Sequence, residues 1–279
     1  MKIFSYLQYL LPQHLLSELA GKLADAKTPW LKDFLIKQFM RTYHINLSET
    51  LIKNPAEFAS FNDFFIRRLK PDARPIDHSS TREIISPADG TIAQIGMIKQ
   101  NQLLQAKNFY FDLETLFGHD LEAAQTFVDG NFATIYLAPH NYHRVHMPLI
   151  GRLTKTIYVP GKLFAVNRMT SEIIPKLYSR NERFIALFDT AAGKVAVIMV
   201  GALIVGSIKM NWMKKPIRNK SVVTNIFSTS PQYNKGDELG YFKLGSTVIL
   251  LFDKNKINLS SSSLINTHIL IGQPLANIK

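Results

Sequence analysis

The feature that most constrains the fold is a succession of short apolar runs separated by turn-forming residues. From residue 90 onward the runs include GTIAQIG, FATIYLAP, RFIALFDT, KVAVIMVGALIVGSI and FKLGSTVILLF, with Gly, Pro, Asn and Asp between them. Short runs rich in β-branched and aromatic residues favour strands, and the intervening residues favour turns. The pattern therefore predicts a β-rich body.

The N-terminal segment has a different pattern. In WLKDFLIKQFMRTY, residues 30–43, a helical period places four apolar residues on one face and leaves the basic residues off it: Leu31, Phe34, Leu35 and Phe39 against Lys32, Lys37 and Arg41. Two interpretations stay open, a basic amphipathic element that lies on a membrane surface and an ordinary helix pair packed on the core. We expect an α+β fold, with N-terminal amphipathic helices on a largely antiparallel β-rich core, divided into a helical membrane-surface segment (1–45) and a catalytic domain (46–279).

Charge and composition limit the chemistry and the partners. The 33 basic and 21 acidic residues give a formal net charge of +12, which favours an anionic partner such as a nucleic acid or a lipid surface. The densest basic groups, residues 67–70 and 214–220, lie in no recognisable nucleic-acid motif, so we expect no nucleic acid. The chain has no cysteine, which excludes disulfides and thiolate metal sites.

No membrane-spanning segment is expected. The longest apolar run, residues 195–208, is too short to cross the roughly 30 Å hydrocarbon core of a bilayer as a helix, and its composition suits a buried strand or strand pair. At the N-terminus, Gln8, Gln13 and His14 interrupt the apolar pattern, and no small-residue cleavage site follows. We therefore expect no secretory signal.

Three short stretches carry residues suited to chemistry. SPADGTI places Asp89 in a turn before a strand, and APHNYHRVHMP concentrates His140, His143 and His146. Imidazole changes charge near neutral pH, so these histidines suit acid-base work or metal binding. In an extended segment only His140 and His146 share a face, and no nearby carboxylate completes a ligand set, so we expect no metal. A structural role for one or two of them stays open.

The third stretch is the Gly-Ser-Thr interruption in YFKLGSTVILLF. Asp89, His146 and Ser246 supply the ingredients of a Ser-His-Asp triad, although Ser246 lacks the Gly-x-Ser-x-Gly elbow of esterases and lies within an apolar strand. A nucleophile there has poor access to a bulky external substrate but immediate access to the carbonyl of Gly245. Glycine tolerates strained backbone angles, so the serine oxygen can attack that carbonyl and cut its own strand.

These motifs together resemble a known family. Leu-Gly-Ser-Thr is similar to the signature of the phosphatidylserine decarboxylase proenzymes of bacterial and mitochondrial type. Further blocks resemble that family in order and spacing: FNDFFIRRLKPDARPID, SPADGTIAQIG, LQAKNFYFDLETLFG, YLAPHNYHRVHMP, YVPGKLFAVN, RNERFIALFDT, VGALIVGSI and IGQPLA. The resemblance covers nearly the whole chain, except that residues 209–232 match poorly beyond Trp212.

The resemblance implies an autocatalytic zymogen. Ser246, activated by Asp89 and His146, cleaves the chain after Gly245 into a β subunit (1–245) and an α subunit (246–279), and Ser246 becomes a covalent pyruvoyl group. This ketone forms a Schiff base with the substrate amine and acts as the electron sink for decarboxylation, which needs neither pyridoxal phosphate nor a metal. His143 is the candidate that reprotonates the α-carbon, with His140 close enough to compete.

The resemblance also implies the substrate and its setting. The reaction converts phosphatidylserine to phosphatidylethanolamine and CO2 in phospholipid biosynthesis, by an enzyme attached peripherally to the cytoplasmic face of the cell membrane. The two fragments remain partners, and a homodimer is a family-level expectation. The alternatives are an unprocessed Ser-His-Asp hydrolase at a lipid surface, a basic lipid-surface binding module, and a decarboxylase of free amino acids. Self-cleavage distinguishes the decarboxylase from the first two.

Overall fold

The computed structural model describes residues 2–106, 109–203, 207–215, 217, 219–243, 246–259 and 262–279. The α-helices in these ranges are α1 (Lys2–Leu7), α2 (Gln13–Ala24), α3 (Pro29–Tyr43), α4 (Phe61–Phe65), α5 (Leu113–Leu116), α6 (Leu121–Thr126), α7 (Arg168–Ser171) and α8 (Leu177–Arg180). The strands are β1 (Glu83–Ile85), β2 (Gly90–Met97), β3 (Gln102–Ala106), β4 (Phe109–Asp112), β5 (Asn131–Leu137), β6 (Arg144–His146), β7 (Gly151–Val159), β8 (Arg183–Thr190), β9 (Gly193–Val200), β10 (Ser207–Met210), β11 (Val223–Ile226), β12 (Gln232–Tyr233), β13 (Glu238–Lys243), β14 (Ser246–Phe252), β15 (Ile257–Leu259), β16 (His268–Ile269) and β17 (Pro274–Ile278).

One large sheet dominates the molecule. Its strand order is β11-β7-β8-β9-β14-β5-β2-β16, and β12 also pairs with β7. Smaller sheets have the orders β10-β13-β6 and β1-β17-β15, and β3 pairs with β4. Every pairing between these strands is antiparallel. The expectation of an α+β fold with N-terminal helices and an antiparallel core is confirmed.

The strand that begins at Ser246 lies in the middle of the large sheet. β14 pairs with β9 on one side and β5 on the other, and all seven of its residues are buried. A strand covered on both faces is apolar along its whole length, which explains the continuous run VILLF after Thr247. The long apolar run of residues 195–208 divides between β9 and β10, as the strand-pair interpretation predicted, and its residues 204–206 lie outside the described ranges.

A second, smaller core joins the N-terminal helices to the rest of the chain. It contains Ala24, Ile36, Leu47, Phe58, Phe61, Phe64 and Phe65, with Phe39 of α3 in edge contact with three of these rings. Helix α3 therefore packs against residues beyond position 45. The domain boundary at that position remains a prediction.

Helix α2 turns polar residues inward and leucines outward. It buries Gln13, Ser17 and Ala24, and it exposes Leu15, Leu16, Leu19 and Leu23. Two glutamines dock this region on one loop of the body, because Gln13 Oε1 accepts from the Leu163 N–H at 2.7 Å and Gln8 Oε1 accepts from the Ala165 N–H at 2.8 Å. The glutamines that interrupt the apolar pattern therefore attach the N-terminal helices to the β-rich body.

The predicted polar side of α3 is wrong at one position. Lys32 is buried, and its Nζ donates to Asp33 Oδ1 at 2.7 Å and to the Ala56 carbonyl at 2.8 Å. These two acceptors satisfy the ammonium group, so the helix can turn Lys32 and Ile36 inward. Trp30 and Phe34 then lie on the outer face, 71% and 61% exposed. In the described part of the chain, the helices are all too short or too polar to cross a membrane.

Candidate active site

The sheet register brings Asp89 and Ser246 to the same edge. Asp89 immediately precedes β2, and Ser246 is the first residue of β14. Both strands run antiparallel to β5 between them, and Tyr136 near the end of β5 pairs with Thr91 on one side and Thr247 on the other. Since neighbouring strands lie about 4.8 Å apart, the two backbones are separated by roughly 10 Å.

The histidine stretch follows β5 at this same edge. A turn closed by Asn141, whose Oδ1 accepts from the Ala138 N–H at 2.7 Å, leads from β5 toward β6. β6 pairs with β13, and the backbone N–H of His146 donates to the Pro87 carbonyl at 2.8 Å. His146 is thereby held beside the turn that carries Asp89.

Ser246 is fully buried. Within the described residues its Oγ has no hydrogen-bond partner. A buried hydroxyl usually finds a partner, so an unpartnered one is a feature that needs an explanation. Leu244 and Gly245, and with them the predicted cleavage site, lie outside the described residues.

One ring nitrogen of His146 is bonded to the main chain and the other is unpartnered among the described residues. Its Nδ1 lies 2.8 Å from the Gly236 carbonyl oxygen, which can only accept, so Nδ1 carries the proton and Nε2 carries the lone pair. Nε2 is buried and has no partner among the described residues. Burial lowers the pKa of His146; the Gly236 hydrogen bond and the charges of Glu238 and Asp89 oppose this effect, and the charge of Arg144 adds to it.

His143 is more deeply buried. Its Nδ1 lies 2.8 Å from the Asn141 carbonyl, and its buried Nε2 is unpartnered in the described part of the chain. Burial lowers the pKa of His143 to about 3. The backbone N–H of Phe242 donates to the His143 carbonyl at 3.0 Å. His143 therefore lies beside Phe242 of β13, which precedes Ser246 by four residues in the sequence.

The third histidine lies apart from these two. His140 is exposed, and its carbonyl accepts from Arg67 Nη2 at 2.9 Å. The structure therefore brings His143, rather than His140, to the segment that leads into Ser246. Across the described ranges, we find no group of three or more His, Asp or Glu side chains arranged to hold a metal ion.

Asp89 is held by an arginine. Arg74 Nε contacts both carboxylate oxygens at 3.0 Å, Arg74 Nη2 contacts Oδ2 at 2.6 Å, and the Ile271 N–H donates to Oδ1 at 2.9 Å. Arg74 Nη1 also donates to Glu49 Oε2 at 3.0 Å. No hydrogen bond joins Asp89 to His146, both of which are described residues. Asp89 and His146 therefore lie close enough for the charge of Asp89 to raise the His146 pKa, but the carboxylate forms no hydrogen bond with the imidazole.

Comparison with known proteins identifies the family. A family model described as phosphatidylserine decarboxylase matches residues 61–277, and a second, described as PSD, matches residues 3–44. The chain belongs to the phosphatidylserine decarboxylase family. Three similar proteins are named phosphatidylserine decarboxylase proenzyme. The one from Azotobacter vinelandii is 48% identical over 92% of this chain and 91% of its own length. Those from Saccharophagus degradans and Legionella pneumophila strain Lens are each 45% identical, the first over 99% of this chain and 98% of its own length, the second over 97% and 96%.

This chain is therefore a decarboxylase, as its motifs predicted, and the interpretation as a non-enzymatic binding module is wrong. Sequence reasoning proposed Asp89, His143, His146 and Ser246 as candidate catalytic residues. It missed Arg74 and Gly236, which contact Asp89 and His146. The signal for Arg74 was its place in PDARPID, a conspicuous block just before the Asp89 turn. Gly236 has no comparable signal, because its contribution is a main-chain carbonyl.

Proposed function

We propose that this decarboxylase converts phosphatidylserine to phosphatidylethanolamine and CO2, with a pyruvoyl group made from Ser246 by self-cleavage after Gly245. The observation that carries the proposal is the buried, unpartnered Ser246 Oγ at the first residue of a central strand. In the uncleaved chain an external ester has no access to a hydroxyl in that position, whereas the preceding peptide bond is always adjacent. Access for the lipid amine is needed only after the cut. The curated relatives are named proenzymes, which agrees with a chain that must be processed.

Self-cleavage needs one base and one water molecule. His146 Nε2 takes the proton of the Ser246 hydroxyl, and Oγ attacks the Gly245 carbonyl carbon, so that the amide becomes an ester and the Ser246 nitrogen becomes a free amine. Loss of the Ser246 α-proton then expels the Gly245 carboxylate and leaves a dehydroalanine. Addition of water and departure of ammonia produce the keto group. Because β14 is a central strand, the fragment 246–279 stays paired with β5 and β9 after the cut.

The residues at this edge fit a pyruvoyl group. A carbonyl oxygen of the group at position 246 would lie in a buried setting and could accept from Nε2 of His143 or His146 once that nitrogen has taken up a proton; neither Nε2 has another partner among the described residues. When present, the group supplies the electron-withdrawing carbonyl that decarboxylation of an amino acid requires. His143 is a neutral imidazole whose unpartnered Nε2 can accept a proton. We assign it a relay in which Nε2 takes up a proton from solvent and passes it to the substrate α-carbon, which returns the ring to its neutral form.

The substrate is expected at a membrane surface. Of the 19 large hydrophobic side chains that are exposed in the described residues, 11 lie between residues 6 and 43. This concentration favours a surface-lying helical segment over a helix pair that only packs on the core. The net charge of +12 adds attraction to anionic lipid. We place the enzyme peripherally on the cytoplasmic face of the cell membrane.

The second candidate function is a hydrolase that uses the same serine on an outside ester and leaves the chain intact. The lack of an Asp89–His146 hydrogen bond argues against this hydrolase, because such enzymes use the carboxylate to orient the histidine.

The denatured intact mass of the purified protein, beside Ser246→Ala, separates the two functions. We expect two wild-type fragments split after Gly245, the small one lighter by one ammonia than a peptide beginning with serine, and one full-length chain from Ser246→Ala. A wild-type chain that stays intact and still turns over lipid would overturn the proposal. His143→Gln should be cleaved yet release little CO2 from vesicles that contain phosphatidylserine.

A further inference from the structure

We propose that the main-chain carbonyl of Gly236, rather than the carboxylate of Asp89, holds the His146 ring in the orientation of a base. Gly236 is then a positioning residue for self-cleavage. The inference rests on the proposed role of His146 in that reaction. In this arrangement Gly236 orients the His146 ring, and Asp89 acts on His146 by its charge and not by a hydrogen bond.

The Gly236 carbonyl is well placed for this task. It accepts from His146 Nδ1 at 2.8 Å. Its own segment is fixed to the strand that carries His146, because the Gly236 N–H donates to the Met147 carbonyl and the Met147 N–H donates to the Asp237 carbonyl, both at 2.8 Å. A carbonyl on a tethered backbone cannot rotate away as a side chain can. The ring is therefore fixed in one tautomer, with Nε2 as the base.

Asp89 is committed to other donors. Its two oxygens accept from three N–H groups: Arg74 Nε, which is shared between both oxygens, Arg74 Nη2 and the Ile271 N–H. Arg74 is itself anchored by Glu49 on its other side. A bidentate arginine pair is among the stronger hydrogen-bonded pairs in proteins, and Asp89 would have to leave it to reach His146.

The residue type at position 236 agrees with this role. Gly236 has φ +87°, a conformation that residues with a side chain rarely adopt. A Cβ built at this position would lie 2.3 Å from Ile76 Cδ1. Glycine therefore permits both the backbone angle and the close approach that aim its carbonyl at His146.

The tautomer of His146 tests the inference directly. We would label histidine with 15N in the uncleaved Ser246→Ala chain and read the ring nitrogens at pH 8, with a Ser246→Ala/His146→Gln chain to assign the signals. We expect His146 with a protonated Nδ1 in Ser246→Ala, and the same tautomer when Asp89→Asn is added. A change to protonated Nε2, or a mixture, on loss of the Asp89 charge would overturn the inference.

A second comparison moves the carbonyl itself. Gly236→Ala is combined with Ile76→Ala, which removes the contacting methyl group, and Ile76→Ala alone is the matched control. In the Ser246→Ala chain we expect a mixture of tautomers in the double variant and one tautomer in the control. With Ser246 present, self-cleavage should slow at least tenfold in the double variant only.

A folded double variant in which His146 keeps a single tautomer, with Nδ1 protonated, would contradict the inference. If the double variant does not fold, the Asp89→Asn comparison decides. Because the tautomer is read in an uncleaved chain, its result is separate from whether the wild type cleaves itself.

Discussion

His143 packs its ring against Phe65, with the ring centroids 4.2 Å apart, so a candidate site residue contacts the aromatic core of the N-terminal helices. Its Nδ1 donates to the Asn141 carbonyl at 2.8 Å. This environment excludes water from the ring and disfavours its charged form, which is why burial lowers the pKa of His143 so far.

Acid should destabilise the protein through this histidine. The pKa of His143 falls from 6.5 to about 3 on folding, so between these values the unfolded chain binds more protons at this position. The stability that His143 contributes is fully present above pH 6.5 and is lost as the pH falls below it. From pH 6.5 to pH 5 the free energy of unfolding should drop by about 2 kcal/mol from this group, as measured by urea unfolding of Ser246→Ala.

His143→Gln in the same chain is the control. Glutamine keeps an N–H donor for the Asn141 carbonyl but does not titrate, so the dependence on pH should flatten by about the same 2 kcal/mol. Part of the slope should remain, because burial also lowers the pKa of His146. Equal slopes for the two chains would show that His143 is not held neutral by burial.

The leucine face of α2 should be needed at the membrane and not for folding. Leu15→Gln, Leu16→Gln, Leu19→Gln and Leu23→Gln together remove exposed apolar surface and leave the inward-facing Gln13 and Ser17 in place. At roughly 1 kcal/mol for each half-exposed leucine, binding to anionic vesicles should weaken at least 100-fold, as measured by sedimentation with the vesicles.

Leu121 provides the matched control for this experiment. It is 63% exposed and lies on α6, outside the N-terminal helices. Leu121→Gln should bind vesicles as the unaltered chain does, and the fourfold variant should keep its unfolding free energy within about 1 kcal/mol. Undiminished vesicle binding by the fourfold variant would contradict peripheral attachment through α2.

The elements of this fold were predictable where local pattern and burial agree. The alternation of apolar runs and turns gave the antiparallel body, and the Gly-Ser-Thr break marked the start of β14. The face of α3 was mispredicted because its rotation depends on acceptors for Lys32 that come from Asp33 and the Ala56 carbonyl, the latter distant in sequence. A helical pattern carries no information about such tertiary partners.

The site was predictable as a set of side chains but not as a set of contacts. Asp89, His146 and Ser246 are conspicuous by residue type, yet which groups satisfy Asp89 and His146 depends on chain segments far away in sequence. Ile271 supplies a backbone N–H to Asp89 and Gly236 supplies a carbonyl to His146. Main-chain partners of this kind leave no residue-type signal, so the sequence could suggest Asp89 and His146 as an activating pair but not the groups that hold each of them.

Arg74 and Asp89 should be strongly coupled in stability. Their side chains are 14% and 3% exposed, so Arg74→Met in the Ser246→Ala chain leaves a buried carboxylate without its charge partner, at a cost of about 3 to 5 kcal/mol. Arg74→Met/Asp89→Asn removes both charges and should be less destabilised than the sum of the single variants by at least 1 kcal/mol. Urea unfolding of the four chains completes the cycle, and additive single effects would show that the pair is not a unit.

The glycine next to Asp89 should be far less tolerant of a side chain than a second glycine in the same strand. A Cβ at Gly90 would lie 2.5 Å from the Tyr136 carbonyl oxygen and 2.8 Å from Ile135 Cγ2, whereas the nearest atom to a Cβ at Gly96 is Phe132 Cε1 at 3.8 Å. Gly90→Ala must push β2 away from β5, and with it Asp89. We expect Gly90→Ala to lose at least about 2 kcal/mol of stability and to slow self-cleavage at least tenfold. Gly96→Ala should change stability by less than about 1 kcal/mol and should cleave normally.

Urea unfolding in the Ser246→Ala chain measures the stability of the two variants, and a time course of fragment formation with Ser246 present measures their cleavage. Similar behaviour of the two alanine variants would mean that close packing of β2 on β5 does not control the position of Asp89.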